Sequence, residues 1–221
     1  MVQINRISAR GDIISAIRNN LAKSREFDSI RSRHEHSAAS VPGLESNASD
    51  VVAVFCENLE SVGGQSTIVT SIDEAAAVLQ KMIIDLRPET VALSDSKLVH
   101  SVAASIQCNA RIVQSAGGRE LFDCDVGVTS SQWAIADTAT LVLESEREFN
   151  RLTSLIPGIH ICILEAENIK ATMLEIFDLV RNDLNPSMTF ITGPSRTSDI
   201  ELTLAIGVHG PRELFIIIVQ E

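Results

Sequence analysis

Tyrosine is absent from this 221-residue chain, and tryptophan occurs once, at Trp133. An aromatic platform for stacking a sugar ring therefore has almost no material, and glycan binding is set aside. Cysteine is scarce and scattered. Cys56, Cys108, Cys124 and Cys162 include no C-x-x-C pair, so the usual spacing of a zinc ribbon or an iron–sulfur cluster is missing. Reduced thiols are expected, with Cys56 and Cys162 as small core residues and Cys124 kept protonated by Asp123 and Asp125 beside it. Positive charge is also in deficit: 18 Lys and Arg face 29 Asp and Glu, for a formal net charge of −11. The basic residues do not cluster, which argues against a nucleic-acid partner. No apolar run approaches the ~20 residues of a membrane span. The opening Met1-Val-Gln-Ile-Asn-Arg6 lacks the apolar core of a secretory signal, so a cytoplasmic location is expected. Neither G-x-G-x-x-G nor G-x-x-x-x-G-K-[ST] occurs, which argues against a standard dinucleotide or P-loop site. No metal and no cofactor are expected.

What is present is ordinary for one substantial globular core: 45% hydrophobic and 21% charged residues. Three segments are expected: an N-terminal amphipathic helix arm over 1–33, a linker over 34–49 and an α/β domain over 50–221. In the arm, Ile13, Ile14, Ile17 and Leu21 recur at helical spacing. The arm docks either on its own domain or on a partner, and the pattern leaves both open. The linker holds His34, His36, Pro42 and Gly43 without periodic apolar positions.

From Asp50 onward helical and strand patterns alternate. Helices are expected near 49–62, 72–86, 99–106 and 169–180, with strands near 66–70, 90–93, 111–113, 159–164, 188–192 and 214–219. Unbroken apolar strands of this kind have both faces buried, as in a mostly parallel sheet flanked by helices. The centre breaks the rhythm. Asp125-Val-Gly-Val-Thr129, Gln132-Trp-Ala-Ile-Ala136 and Thr140-Leu-Val-Leu143 leave little room for helices between them, so a small antiparallel insertion is expected.

The segment from Gly193 to Glu201, with Pro194, Ser195, Arg196, Thr197, Ser198 and Asp199 between, concentrates turn-formers, hydroxyls and a guanidinium after a predicted strand. Ligands of open α/β sheets sit beyond the carboxyl ends of strands, where such groups suit a carboxylate or phosphate. Ser198-Asp-Ile-Glu201 matches the S-x-x-E capping box, whose helix would aim its positive end at the loop. Glu201-Leu-Thr-Leu204 alternates in polarity, so a strand competes with that helix. His209, between Gly207-Val208 and Gly210-Pro211, is a candidate acid or base in a tight turn. Asp137 and Thr138 offer a carboxylate and a hydroxyl between two strands, suiting either substrate contact or plain turn chemistry. Glu144 ends a strand, where a carboxylate facing a pocket acts as nucleophile or base. Ser94-Asp-Ser96 reads first as a helix N-cap.

The ordered set Asp125-Val-Gly-Val-Thr129, Ala134-Ile-Ala-Asp-Thr138, Ser154-Leu-Ile-Pro157, Gly193-Pro-Ser-Arg-Thr-Ser-Asp-Ile-Glu201 and Gly207-Val-His-Gly-Pro-Arg-Glu-Leu214 resembles the LUD-domain family. Ala139 departs from it, standing where that family usually has glycine. The resemblance implies a fold like that of the NagB, ribose-phosphate isomerase and CoA-transferase superfamily. It also implies a part in bacterial oxidation of L-lactate to pyruvate, beside an iron–sulfur subunit carrying its own LUD domain and a cysteine-rich subunit. A chain without cluster spacing or a flavin or nicotinamide motif would serve there as a non-redox component that binds a small anionic ligand or assembles the complex. Two other readings stand beside it: an independent enzyme acting on a sugar phosphate or acyl-CoA, and a pure interaction module. A homo-oligomer is left open.

Overall fold

The computed structural model describes residues 11, 13–19, 48–114, 118–148, 150–181, 186–198, 204–206 and 210–220. The chain divides into two compact units, Met1–Gly43 and Leu44–Glu221. Of the first, residues 13–19 are helical and expose Ile13, Ile14 and Ile17.

In the second unit, helix α1 (Ala48–Ser61) carries Val52, Phe55 and Leu59 on one face, and all three are buried. Strand β1 (Gln65–Val69) leads to α2 (Ile72–Leu86), whose N-cap Ser71 accepts a hydrogen bond from the Glu74 amide. Next come β2 (Thr90–Leu93), the short α3 (Lys97–Ala103) and β3 (Arg111–Gln114). Ser96 caps α3 through the Val99 amide, as the Ser94-Asp-Ser96 pattern predicts. Strand β4 (Val126–Ser131) follows, then β5 (Trp133–Ile135), β6 (Thr140–Glu144) and the one-turn α4 (Ser145–Glu148). The chain continues through β7 (Ile159–Glu165), β8 (Ile169–Lys170), α5 (Met173–Val180) and β9 (Met188–Thr192). It closes with β10 (Arg196–Ser198), β11 (Leu204–Ile206) and β12 (Glu213–Val219).

Six strands form one parallel sheet in the order β1-β12-β7-β4-β2-β3. Period-two alternation assigns its side chains to two cores. Ile161, Ile163, Ile217 and Val219 pack with Leu79 and Ile83 of α2. Their neighbours Cys162, Leu164, Ile216 and Ile218 point the other way, onto Phe55 and Leu59 of α1 and Leu141 and Leu143 of β6. The molecule is therefore α/β with a parallel sheet flanked by helices, and a small mixed sheet, β8-β5-β6-β9, shares the α1 side.

Four local expectations change. Asp125-Val-Gly-Val-Thr129 does not join the antiparallel insertion, because β4 lies between β2 and β7 with all six residues buried. The chain leaves that sheet where Ser131 Oγ accepts from the Val142 amide and faces the Trp133 and Val142 carbonyls, substituting for ladder bonds. The predicted helix over 169–180 begins as β8, and only after Thr172, whose amide and hydroxyl both donate to Glu175, does α5 start. The Met188 strand belongs to the small sheet, antiparallel to β6, rather than to the parallel one. Ser198 starts no helix: it pairs with Leu204 where β10 runs antiparallel to β11, and of the competing strand over Glu201–Leu204 only Leu204 lies within the described residues.

Candidate functional site

The turn after β9 is built by close backbone approach. Gly193 has φ +77°, and a Cβ there would lie 2.9 Å from the Val62 side chain, so glycine lets this turn rest on the end of α1. Arg196 then reaches back and donates from Nη2 to the Val62 carbonyl at 2.5 Å. The Ser195 amide donates to the Pro211 carbonyl at 2.8 Å, clipping the turn to the segment that enters β12. Between these pieces lies a cavity of about 310 Å³ lined by Thr192, Gly193, Ser195, Arg196 and Gly210, with Ser154 and His160 on its walls.

A chain of hydroxyls ties the Asp137-Thr138 turn to this cavity. Thr138 Oγ1 lies 2.8 Å from Thr140 Oγ1, which in turn lies 2.6 Å from Thr192 Oγ1. Asn58 of α1 fixes the turn by donating to the Ala136 and Asp137 carbonyls. Ala139 adopts φ +51° within it, the left-handed region that favours glycine. Thr138, Gly193, Ser195, Arg196 and Gly210 are thus brought into one neighbourhood, and Asp137 flanks it. Thr197 lies on β10. Asp199, Glu201 and His209 fall outside the described residues.

Glu144 is not part of that neighbourhood. It ends β6 at the opposite end from Thr140, is buried, pairs with Arg147 at 3.0 Å and accepts from Trp133 Nε1 at 3.3 Å. With both oxygens engaged, it is a structural anchor rather than an available nucleophile.

His160, on the cavity wall, carries no motif in the sequence. It is fully buried at the second position of β7, with Nε2 2.8 Å from Thr129 Oγ1 and no hydrogen-bond partner for Nδ1 among the described residues. Burial depresses its pKa to about 3, so the ring is neutral near pH 7. No periodicity distinguishes it from the apolar residues of its strand, and only its position on the cavity wall gives it away.

Topology points to a second place. Connections leave β2 toward β3 and β4 toward β7, in opposite directions across the sheet. That reversal makes the carboxyl ends of the neighbouring strands β2 and β4 the switch point where open α/β sheets hold ligands. A cleft of about 520 Å³ opens there, lined by Lys97, Ser130, Gln132 and Trp133 among others. The Thr192–Arg196 cavity instead adjoins the amino ends of β7 and β12, since His160 and Leu214 are second residues of those strands. The loop therefore does not sit beyond the carboxyl edge of the parallel sheet, because β9 is not in it.

The model of the LUD domain matches residues 52–219. The chain belongs to the LUD domain family. Lactate utilization protein C of Bacillus subtilis is 35% identical over 103 residues, covering 44% of this chain and 43% of that protein. Lactate utilization protein C of Deinococcus radiodurans is 38% identical over 103 residues, covering 45% and 49%. These matches span less than half the length of either relative. Among solved structures, a DUF162 family protein from Deinococcus radiodurans superimposes with a TM-score of 0.61 at 21% identity, covering 79% of this chain and 99% of that one. That likeness supports the fold of the LUD domain. No helix among the described residues is long and apolar enough to cross a membrane.

Proposed function

We propose that this chain is a non-redox component of a bacterial L-lactate utilisation system, binding a small anionic ligand and assembling with an iron–sulfur subunit and a cysteine-rich subunit. The relatives named lactate utilization protein C support the system. The scattered cysteines support the non-redox part, because they lack cluster spacing.

The observation that carries the ligand is the cavity shared by Thr192, Gly193, Ser195, Arg196 and Gly210. A guanidinium presents several donors in a planar fork matched to a carboxylate, and only one contact of Arg196 is to the Val62 carbonyl. His160 stays neutral behind it, so Arg196 supplies the positive charge while the hydroxyls of Ser195 and Thr192 supply polar contacts. Asp137 and Thr138 stand at the far end of the hydroxyl chain, where they hold the turn against the cavity. Thr197, Asp199, Glu201 and His209 complete the proposed ligand-binding set, with His209 as the candidate acid or base.

Calorimetric titration of the full chain with L-lactate and with pyruvate tests this reading. Arg196→Ala should weaken binding about tenfold or more, equivalent to about 1.4 kcal/mol. Binding untouched by Arg196→Ala counts against this ligand site. Lactate oxidation by the purified chain alone contradicts the non-redox role, and failure to co-purify with cluster-bearing subunits contradicts the assembly role.

A further inference from the structure

We infer that the cleft beyond the carboxyl ends of β2 and β4 is a second ligand site, one that takes a small hydroxylated carboxylate. Its back wall is a closed hydrogen-bond network. Glu148 is buried and accepts from the Ser130 amide at 3.1 Å, from Ser130 Oγ and from Gln132 Nε2 at 2.8 Å. Gln132 also accepts from the Glu144 amide at 2.7 Å, and Glu144 holds Trp133 and Arg147. Side chains fixed in this way present a rigid surface, as a binding site requires.

The chemistry of the ligand follows from what the network leaves over. Ser130 Oγ commits its only proton to the Glu148 carboxylate and accepts from Gln132 Nε2 at 3.2 Å, so toward the cleft its remaining lone pair can only accept. A ligand hydroxyl fits there, and a second carboxylate does not. Lys97, exposed on the same cleft, enters none of the ion pairs found among the described residues. Of the acids nearby, Asp95 lies 3.8 Å from His100, Glu165 accepts from Asn168, and Glu146 is exposed. An ammonium in no ion pair among the described residues and a hydroxyl that only accepts define complementary ends: an anion at Lys97 and a donor at Ser130. A cleft of about 520 Å³ admits either a three-carbon hydroxy acid or a six-carbon sugar acid.

Trp133 lines this cleft and is the sole tryptophan in a chain without tyrosine, so indole emission reports on this site alone. The full chain is titrated with L-lactate and with D-gluconate, using propionate as the hydroxyl-free control and glycerol as the carboxylate-free one, and calorimetry runs in parallel. A saturable change is expected below about 10 mM for a hydroxy acid, at least about tenfold tighter than for propionate or glycerol. Lys97→Ala should weaken it about tenfold, while Lys81→Ala, which removes an exposed lysine outside the cleft, should not. No saturation by either method overturns the inference, as do equal binding of propionate or an undiminished affinity in Lys97→Ala. The site stands apart from the lactate reading: gluconate binding without lactate binding keeps the cleft and counts against lactate as its ligand.

Discussion

Substituting His160 by glutamine should flatten the acid limb of the stability curve. The imidazole is fully buried, its pKa falls from the ordinary 6.5 to about 3, and desolvation of the charged form is the cause. The unfolded chain takes up a proton near pH 6.5 while the native chain refuses it, so protonation favours unfolding as pH falls. Stability tied to this group is fully present above pH 6.5 and is lost progressively down to about pH 3. At one pKa unit per roughly 1.4 kcal/mol, the full loss is on the order of 5 kcal/mol. Between pH 7.5 and pH 5 the expected share is about 2 kcal/mol. Glutamine fills similar space and still reaches Thr129, but it does not titrate. Urea unfolding at a series of pH values, for the wild type and His160→Gln, gives the difference curve, in which the titrations of the other groups largely cancel. The wild type should lose about 2 kcal/mol more than the variant over that interval. Parallel curves would refute a buried neutral imidazole. If the variant does not fold, NMR titration serves instead: the His160 ring should show no protonation shift above pH 5 while the chain stays native.

Gly127→Ala should destabilise by roughly 3 kcal/mol, because a Cβ at that point of β4 would lie 2.0 Å from the Thr153 carbonyl oxygen; an unchanged urea midpoint would show that the Arg151–Ser154 turn yields easily. Ala139→Gly should stay within about 1 kcal/mol of the wild type in the same assay, since relief of the left-handed conformation and loss of one buried methyl nearly cancel. A loss well beyond that range would mean that the methyl, rather than the backbone, sets the turn. Native-state alkylation read by mass spectrometry should spare Cys162 and Cys124. Burial raises both thiol pKa values, and both lie in packed surroundings. Rapid labelling of Cys162 without unfolding would contradict the packing of β7.

The larger architecture was legible because burial of both sheet faces leaves a simple signature. Val91-Ala-Leu93, His160-Ile-Cys-Ile-Leu164 and Leu214-Phe-Ile-Ile-Ile-Val219 read as strands without alternation, and each runs in the parallel sheet. Which sheet a strand joins was less legible. Val126–Ser131 and Thr140–Glu144 are both buried throughout, yet one is parallel in the large sheet and the other antiparallel in the small one. The difference lies in Ser131, whose hydroxyl takes over ladder bonds to Val142 and redirects the chain. A serine there looks like any other polar residue in a one-dimensional pattern.

The site shows the same limit from the other direction. Turn chemistry made the Gly193–Arg196 loop visible, and the structure seats it in a cavity with Gly210, linked through Thr192 and Thr140 to Thr138. What the loop could not disclose is the edge of the sheet it serves, because that depends on strand order, and strand order is a property of long-range pairing. Once β9 pairs with β6, the loop comes to lie at the amino ends of β7 and β12. The carboxyl edge, where oppositely running connections open a crevice for reasons of topology alone, falls to Asp95-Ser96 and Ser130-Ser-Gln132. The Ser94-Asp-Ser96 stretch has the pattern of a cap, and Ser96 does cap α3. Ser94 Oγ, two positions before it, has no partner among the described residues, and no local pattern separates the two. Distinguishing a capping serine from an idle one requires knowing what approaches from a strand 30 or more residues away. For Ser130 the deciding groups are nearer in sequence, Glu148 on α4 and Gln132 two residues on, which together fix the direction of its proton and hence the kind of group the cleft can receive.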